Sequence, residues 1–341
     1  MKAVILAAGK GTRMRPLTNR RPKPLVPVAG RPILEHIVGG LASAGVDEVC
    51  LVIGWMGEQI QEAFGDGTAL GAELTYVWQE EYGGTGAAVL LAEEFIGEDQ
   101  FVLGWGDIIV PPENYRRMMA LYREERPEAM LAVNRVDDPW EGAAVYVEDG
   151  CVDRIVEKPP KGTSTTNFNN AGLFVFGPEL LRILRDTEVS ERGELEVPSA
   201  IETLLQRGKA IRAYEIDGYW SDVARPTSAI AVSGQIIERM AHSGVILHPE
   251  AHVAPRAQVT PPALIGPGAS VGNATIGPNC VVMAGAQIAD GATLIDAMVM
   301  PGAEVGADSE LSWAVVEEGA TVPAKSSGAG SDAEAVTIGG A

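Results

Sequence analysis

The sequence is poor in cysteine and has no long apolar run. Its cysteines lie far apart and outside any metal-ligand spacing, so we expect neither a disulfide framework nor a zinc site, only small buried thiols in a reducing compartment. No stretch of about 18 apolar residues occurs, which predicts that no helix spans a membrane. The first apolar stretch ends at Gly9-Lys10, too early for a signal peptide. We therefore expect a cytoplasmic protein. The cysteines are Cys50, Cys151 and Cys280.

Basic residues are also scarce, at 26 Lys and Arg against 46 Asp and Glu, which gives a formal net charge of -20. So acidic a chain is not expected to have nucleic acid as its main partner. Eight of the basic residues nevertheless occur between Met1 and Arg31, where no acidic residue occurs. This local excess indicates a site for a strongly anionic ligand. The eight are Lys2, Lys10, Arg13, Arg15, Arg20, Arg21, Lys23 and Arg31.

A glycine-rich turn follows the first strand-like run, Ala3–Ala8. Gly9 and Gly11 free the backbone to turn sharply and point consecutive N–H groups at one spot, where phosphate oxygens bind well. A dinucleotide fingerprint needs a third glycine where Met14 stands, and the Gly-Lys-Ser/Thr of a P-loop is missing. The turn therefore predicts a polyphosphate ligand.

The first two-thirds of the chain alternates short apolar runs with stretches of helical spacing. This alternation predicts an α/β, Rossmann-like domain with a mostly parallel sheet over residues 1–226, whose ligands lie beyond the carboxyl ends of the strands. We expect the loop after Ala8 and Gly104–Asp107 on that rim. The predicted strands are Val4–Ala8, Glu48–Ile53, Leu74–Trp78, Phe101–Leu103 and Met130–Val133. The predicted helices are Ile33–Ala44, Gly57–Phe64, Gly86–Phe95 and Tyr115–Glu125.

The pattern changes after a predicted linker helix over 227–243. From Val253, apolar residues recur at intervals of six residues nine times and five residues three times. Such hexads predict a left-handed parallel β-helix of roughly four coils over 244–323, followed by a flexible tail over 324–341. The repeating residues are Val253, Val259, Ile265, Val271, Ile276, Val282, Ile288, Leu294, Val299, Val305, Leu311, Val316 and Val322.

Several motifs, in this order, resemble those of the sugar-1-phosphate nucleotidylyltransferases (NDP-sugar pyrophosphorylases). The appended repeat is similar to that of the long members of the family, among them N-acetylglucosamine-1-phosphate uridylyltransferases. The motifs are Leu6-Ala-Ala-Gly-Lys-Gly-Thr-Arg-Met, Arg21-Pro-Lys-Pro, Gly84-Thr-Gly-Ala-Ala, Gly106-Asp, Glu157-Lys-Pro, Asn170-Ala-Gly, Arg192-Gly-Glu-Leu-Glu and Gly218-Tyr-Trp-Ser-Asp.

The resemblance implies attack by a sugar-1-phosphate oxygen on the α-phosphorus of a nucleoside triphosphate. Because that oxygen is already ionised, no general base is needed, and catalysis rests on alignment and charge neutralisation. Arg13 is the candidate for the β- and γ-phosphates, and Lys23, between two prolines, for the α-phosphate. Asp107 and Asp222 match the family's metal aspartates, which implies Mg²⁺ as cofactor.

The resemblance also supplies candidate binding residues. The step from Gln79 to Gly84 matches the uridylyltransferase pattern and favours UTP or dTTP over GTP, with glucose 1-phosphate as the favoured acceptor. Val197-Pro198-Ser199 replaces the usual Thr-Asp pair and leaves the sugar open. The nucleotide-binding candidates are Leu6, Ala8, Gly9, Gly11, Thr12, Arg13, Gln79, Gly84, Thr85 and Asp107. The sugar phosphate-binding candidates are Gly142, Glu157, Lys158 and Asn170.

Three alternatives stay open: a mannose-1-phosphate guanylyltransferase, an N-acetylglucosamine-1-phosphate uridylyltransferase, and a non-catalytic regulatory subunit. We expect the β-helix to assemble a homo-oligomer, with a trimer as the first guess. We expect no acetyl transfer, since Arg256 and Lys325 are the only cationic Lys or Arg side chains from Val245 onward. A chain cut near Ser243 is then expected to keep nucleotidyl transfer.

Overall fold

The computed structural model describes residues 1–190 and 193–339; Glu191 and Arg192 of the Arg-Gly-Glu motif region and the last two residues of the predicted tail lie outside the described residues. The chain divides into two compact units. The first comprises Met1–Lys10 and Leu34–Trp220, and the second comprises Gly11–Ile33 and Ser221–Ala341. Within the described ranges, no helix has the length and apolarity needed to cross a membrane.

The first unit is an α/β fold. Its strands are β1 Lys2–Ala7, β4 Glu48–Ile53, β5 Glu73–Trp78, β6 Phe101–Trp105, β7 Ile108–Ile109, β8 Ala129–Arg135, β9 Ala143–Glu148, β10 Cys151–Glu157, β11 Phe168–Phe176 and β12 Ile211–Glu215. Its helices are α1 Ile33–Ser43 (whose first residue is counted with the second unit), α2 Gly57–Phe64, α3 Thr85–Leu91, α4 Glu93–Ile96, α5 Glu113–Glu125, α6 Glu179–Asp186 and α7 Val197–Gln206. Its 3₁₀ turns are Thr68–Leu70 and Pro139–Glu141.

One mixed sheet, in the order β5-β4-β1-β6-β11-β8-β12-β10-β9, forms the centre of this unit. β5, β4, β1 and β6 are mutually parallel, as are β8 and β12, whereas β11 runs antiparallel to both β6 and β8. Buried residues of the strands pack against α3, α6 and α7 in one apolar core that includes Phe101, Phe174 and Phe176. The predicted α/β domain with a mostly parallel sheet is confirmed.

The predicted elements of this unit agree with the structure, with two differences. The helix expected over Gly86–Phe95 is broken at Ala92 into α3 and α4. Helices α6 and α7 and strands β7 and β9 to β12 were not predicted. Those strands nevertheless hold the residues that the sugar phosphate is expected to contact.

The second unit is a parallel β-helix with one helix and the N-terminal turn segment. Its helix is α8 Pro226–Met240, and its 3₁₀ turns are Thr12–Met14, Leu17–Asn19 and Lys23–Leu25. Its short strands outside the coils are β2 Pro27–Val28, β3 Arg31–Pro32 and β13 Ser221–Asp222. The coil strands are β14 Val245–Leu247, β15 His252–Val253, β16 Gln258–Val259, β17 Ala263–Ile265, β18 Ser270–Val271, β19 Thr275–Ile276, β20 Cys280–Val282, β21 Gln287–Ile288, β22 Thr293–Val299, β23 Glu304–Val305, β24 Glu310–Val316, β25 Thr321–Val322, β26 Ser327–Ala329 and β27 Val336–Ile338.

The hexad residues stack as the sequence predicts. Val253 pairs with Val271, and Ile288 pairs with Val305, so that three successive hexads make one coil. Every hexad residue from Ile265 to Val322 is at most 3% exposed and packs in the coil interior. The hexapeptide β-helix and the connecting helix, predicted over 227–243 and observed as α8, are confirmed.

The flexible tail predicted from residue 324 is wrong for much of its length. β26 pairs with the first half of β24 and β27 with the second half, so this segment adds most of another coil. The step from Val316 to its partner Ile338 is longer than the step from Val299 to Val316, because a turn at Ser331–Glu334 lengthens the coil. That insertion interrupts the hexad period, so the repeat pattern does not predict β26 and β27.

One flank of the β-helix is covered by α8, which packs against β14, β17, β20, β22 and β24. On this flank the outward residues Val281, Met298 and Val315 are at most 1% exposed. The other two flanks carry polar outward side chains, so an oligomer built on the coils has to use polar surfaces. These side chains are His252, Ser270, Gln287, Glu304 and Thr321 on one flank, and Gln258, Thr275, Thr293, Glu310 and Ser327 on the other.

Gly11–Ile33 was assigned to the catalytic domain by sequence order, but it belongs to the β-helix unit. The backbone N–H of Ala29, in the turn between β2 and β3, donates a 2.8 Å hydrogen bond to the buried hydroxyl of Ser233 on α8. Arg21 forms a 2.6 Å ion pair with Glu318 of the β-helix. Contacts this distant in sequence cannot be inferred from local pattern. A single boundary at residue 226 therefore does not reproduce the two units, because the second unit also contains Gly11–Ile33.

The cysteines differ in exposure, which corrects the expectation that all three are buried. Cys50 on β4 and Cys280 in the coil interior are buried, whereas Cys151, the first residue of β10 after a hairpin turn, is exposed. Burial raises the pKa of both the Cys50 and the Cys280 thiol to about 12. Both therefore stay protonated and unreactive near neutral pH.

We expect a disulfide reagent to modify one thiol per native chain and all three after unfolding in guanidinium. The difference follows from the exposure of Cys151 and the burial of the other two. Spectrophotometric thiol titration measures it, and Cys151→Ser is the matched control that removes the fast phase. Two rapidly reacting thiols in the native chain would contradict this assignment.

Candidate active site

The carboxyl ends of β1, β4, β5 and β6 lie at one edge of the sheet, because these strands are parallel and adjacent. The loops that leave them are tied by backbone hydrogen bonds. Gly106 N–H donates to Leu6 O at 2.9 Å, and Gln79 N–H donates to Ile53 O at 2.8 Å. The structure thus brings Leu6, Gln79 and Asp107 to one rim, as expected.

Ala8 and Gly9 continue from β1 into this rim. The carbonyl of Ala8 accepts a 3.2 Å hydrogen bond from Trp55 N–H, which fixes the chain before it turns. Gly9 is exposed, whereas Gln79 is only 7% exposed. A buried amide beside an exposed glycine turn can hold the edge of a flat ring near a phosphate chain.

Gly84 and Thr85 begin α3 and are held by the segment after the undescribed pair 191–192. Leu195 N–H donates to Gly83 O, and Gly86 N–H donates to Leu195 O, both at 2.8 Å. Gly84 has a φ of +95°, and a Cβ there would run into the carbonyl oxygen of Leu195. Only glycine fits this turn without strain.

The Thr85 hydroxyl accepts a 3.0 Å hydrogen bond from the backbone N–H of Val197, the first residue of α7. Val197-Pro198-Ser199, where the sequence departs from the family pattern, is therefore the first turn of a helix that Thr85 caps. The hydroxyl that sequence reasoning gave to the nucleotide already has this structural partner.

The four sugar phosphate candidates lie together in the same unit. Gly142 directly precedes β9 and Lys158 directly follows β10, at the end where Ala143 pairs with Glu157, and Lys158 N–H donates to Gly142 O at 2.8 Å. Asn170, on the neighbouring β11, accepts Gly172 N–H at 3.0 Å through its side-chain oxygen. The side-chain oxygen of Asn169 occupies the space where a Cβ of Gly142 would stand. Glu157 ends β10 directly before Lys158.

The second unit carries the cationic candidates. Lys23 Nζ lies 3.4 Å from one carboxylate oxygen of Asp222, and Arg13 Nη2 lies 3.9 Å from the other. The Lys23 side chain is only 11% exposed, whereas Arg13 is 63% exposed. Two cations therefore converge on one carboxylate, within a segment where Gly11 and Thr12 open the turn that bears Arg13.

Lys2 and Arg21, two of the eight N-terminal basic residues, are paired with acidic side chains elsewhere. Lys2 begins β1, at the end opposite the rim, and its Nζ binds the carboxylate of Asp99 at 2.9 Å and the carbonyl of Phe95 at 2.8 Å. Arg21 is paired with Glu318. The charge count therefore overstated the positive charge offered to a ligand.

Sequence reasoning missed three aromatic residues near the predicted positions. The Lys10 ammonium lies 5.2 Å from the centre of the Tyr82 ring, a cation–π contact. The Trp105 ring packs edge-on against Phe174, and the Trp220 indole N–H donates to Ala171 O at 2.9 Å. Both tryptophans flank catalytic candidates in sequence, at Gly106-Asp107 and Ser221-Asp222, which is the only signal that pointed to them.

The donor set suits Mg²⁺ rather than a metal held by protein alone. Within residues 1–190 and 193–339 no three His, Cys, Asp or Glu side chains are grouped to hold an ion. Mg²⁺ needs only one or two carboxylates, because substrate phosphates and water complete its shell. Asp107 and Asp222 are each a carboxylate of the kind that Mg²⁺ binds, so the chemistry of either residue fits the expected ion.

The fold and these residues define an α/β protein with loops meeting at the carboxyl ends of its parallel strands and an appended hexapeptide β-helix. A family profile described as "Nucleotidyl transferase" matches residues 2–239, and one described as "GlmU-like, C-terminal hexapeptide" matches residues 251–336. The first match spans more than half of the chain. The chain therefore belongs to the nucleotidyl transferase family.

Curated relatives match only part of their own length. The chain is 36% identical over 240 residues to the low-salt glycan biosynthesis nucleotidyltransferase Agl11 of Haloferax volcanii, covering 70% of this chain and 66% of that protein. It is 36% identical over 241 residues to the bifunctional protein GlmU of Methanococcus maripaludis, covering 70% and 55%. It is 34% identical over 242 residues to a glucose-1-phosphate thymidylyltransferase of Streptomyces griseus, covering 70% and 66%.

Solved structures agree with the fold. A crystal structure from Bacillus anthracis, described as a candidate glucose-1-phosphate thymidylyltransferase in complex with sucrose, aligns with a TM-score of 0.63 and 28% identity, over 68% of this chain and 95% of that one. A UDP-glucose pyrophosphorylase complexed with UDP-glucose aligns with a TM-score of 0.63 over 70% of this chain and 98% of that one. At 24% identity, the second supports the fold alone.

Gly84→Ala is expected to destabilise the chain and to weaken nucleotide binding. The new Cβ meets the Leu195 carbonyl in a left-handed backbone conformation, and such strain costs roughly 1–3 kcal/mol. Denaturant unfolding and titration calorimetry with UTP measure the two effects. Gly208→Ala is the control, because Gly208 has a φ of +73° but open space around it. Equal UTP affinity in Gly84→Ala and wild type would remove Gly84 from the nucleotide site.

Proposed function

We propose that this protein transfers a nucleotidyl group from a nucleoside triphosphate to a sugar 1-phosphate, giving an NDP-sugar and pyrophosphate. UTP or dTTP is the favoured donor and glucose 1-phosphate the favoured acceptor. The observation that carries the proposal is the convergence of Lys23 and Arg13 on Asp222 in a family whose named relatives include nucleotidyltransferases.

The reaction is a displacement at the α-phosphorus. An ionised oxygen of the sugar 1-phosphate forms a bond to that phosphorus, while the bond to the bridging oxygen of the β-phosphate breaks and its electron pair leaves with pyrophosphate. No proton has to move, so the absence of an imidazole among the proposed site residues is consistent with the mechanism. The residues then act by alignment and by neutralising charge.

Each proposed side chain has one task in this step. Lys23, buried and fixed between Pro22 and Pro24, neutralises charge at the α-phosphate, and Arg13 with the Gly9–Gly11 turn holds the β- and γ-phosphates. Asp107 and Asp222 would hold Mg²⁺, which when bound screens the triphosphate charge. When Asp222 binds Mg²⁺ instead of Lys23, the Lys23 ammonium would bind the phosphate.

Base and sugar are selected in the first unit. Gln79 would hydrogen-bond the donor–acceptor edge of a pyrimidine, and the Gly84 turn lets the ring approach the backbone closely. Glu157 would accept hydrogen bonds from sugar hydroxyls, and Lys158 would bind the phosphate. Gly142 and Asn170 lie beside them, on paired strands.

Other acceptors and a regulatory role are alternatives. The resemblance to N-acetylglucosamine-1-phosphate uridylyltransferases makes N-acetylglucosamine 1-phosphate an alternative acceptor, and the chain covers 55% of the GlmU relative from M. maripaludis. A mannose-1-phosphate guanylyltransferase would need to bind a purine beside Gln79. A regulatory subunit would have no need for Arg13, Lys23 and Asp222 to be arranged around one another.

A pyrophosphate-release assay over UTP, dTTP, GTP and ATP with glucose, N-acetylglucosamine and mannose 1-phosphates tests the function. We expect the highest kcat/KM for UTP or dTTP with glucose 1-phosphate. Highest activity with GTP and mannose 1-phosphate would replace the proposed substrates, and no release with any pair would favour the regulatory role.

Asp107→Asn and Asp222→Asn are expected to lower kcat by about 100-fold or more, because each removes charge that holds the metal against the triphosphate. Both should keep the wild-type unfolding transition. Glu304→Gln, on a polar flank of the β-helix, is the control and should keep full activity. Wild-type turnover in both aspartate variants, or full activity in excess chelator, would refute the metal assignment.

A further inference from the structure

The segment that carries Arg13 and Lys23 is attached to the β-helix at a buried point. In the β2–β3 turn, the N–H of Ala29 donates to Ser233 Oγ at 2.8 Å, and Ser233 in turn donates to Ala229 O at 2.6 Å within α8. Ser233 is 1% exposed. A buried N–H that loses its partner is costly, so this contact fixes the turn on α8.

The turn also reaches the coils themselves. A Cβ placed at Gly30 would lie 3.8 Å from the side chain of Leu264, an outward residue of β17, so the turn passes close to the coils. Because α8 lies across the same flank, the turn, the helix and the β-helix form one packed body. The segment is thus held by apolar contact as well as by a hydrogen bond.

A second attachment lies next to the proposed catalytic lysine. Arg21 Nη2 is 2.6 Å from the carboxylate of Glu318, which stands in the turn between β24 and β25. The Arg21 side chain is 22% exposed and that of Glu318 is 59% exposed, so the pair is shielded on the arginine side only. Pro22 follows Arg21 directly and restricts the backbone up to Lys23.

The same body holds the other partner of Lys23. Asp222 lies on β13, shortly before α8 begins at Pro226, and its carboxylate is 3.4 Å from Lys23 Nζ. Both members of this pair are therefore anchored to the β-helix, one through α8 and the other through Arg21.

We propose that the β-helix acts as the scaffold for the phosphate-binding segment, and that Glu318, through its ion pair with Arg21, is a positioning residue for Lys23. The role of Lys23 rests on the proposed function, whereas the anchoring itself does not. This replaces the expectation that a chain cut near Ser243 keeps normal transfer, since that cut removes Glu318 and Leu264.

Hydrogen exchange followed by mass spectrometry tests the anchoring without any assay of activity. In the full chain, Glu318→Gln and Arg21→Gln are each expected to speed exchange in residues 11–33 by about twofold to fivefold, the range set by a partly exposed ion pair. Ser233→Ala should speed exchange in the β2–β3 turn. The control is Arg212→Gln, which breaks a comparable 2.7 Å pair with Glu125 and should leave residues 11–33 unchanged.

Turnover then tests the positioning. Glu318→Gln is expected to lower kcat by a similar factor with little change in the KM for the triphosphate, because Lys23 matters most in the transition state. The double variant Arg21→Gln/Glu318→Gln should be no worse than the single variants, and the exchanged pair Arg21→Glu/Glu318→Arg should recover activity.

Unchanged exchange and unchanged kcat in Glu318→Gln, in an active wild-type background, would overturn the proposal. Additive losses in the double variant would also overturn it, since they would mean that Arg21 and Glu318 act independently. An inactive wild-type chain would contradict the proposed function instead, and the exchange result would still decide the anchoring.

Discussion

Parallel hydrogen bonding of β1 to β4 on one side and β6 on the other is the constraint on which the rim of the first unit depends. Adjacent parallel strands have their carboxyl ends at the same edge of the sheet. The loops after Ala7, Ile53 and Trp105 therefore lie side by side at that edge. Gly106 N–H reaches back to Leu6 O and closes that edge. Strand direction therefore sets the position of the candidate site residues in the first unit. Their side chains add specificity at that position.

Features that repeat or run locally could be predicted from the sequence. The hexads locate the coil interior because each anchor is separated from the next by a nearly fixed spacing, and burial of Ile265 through Val322 repeats that spacing. The rim residues Gln79 and Asp107 were proposed from the family resemblance, and each closely follows an apolar strand. The resemblance to the nucleotidylyltransferases supplied the proposed roles of these residues, because residue spacing alone does not indicate a role.

Features that depend on distant partners could not be predicted. β27 is separated from its partner β24 by an insertion, and the Thr85 hydroxyl accepts a hydrogen bond from a helix that lies far along the chain. Arg21 looked like one more cation for an anionic ligand, yet it is paired with Glu318. In each case a long-range contact decided a property that local pattern left undetermined.

The length of α8, the helix that covers one flank of the coils, matches the depth of the coils it packs on. α8 has 15 residues, which gives it a length of about 22 Å. It packs on β14, β17, β20, β22 and β24, five successive levels, and strand spacing makes these about 19 Å deep. Repeat proteins usually gain or lose coils freely, but here one coil fewer would leave a turn of α8 without cover. Five levels of this flank are thereby matched in depth to the length of a single helix, and β27, paired with β24, adds a sixth level beyond those five.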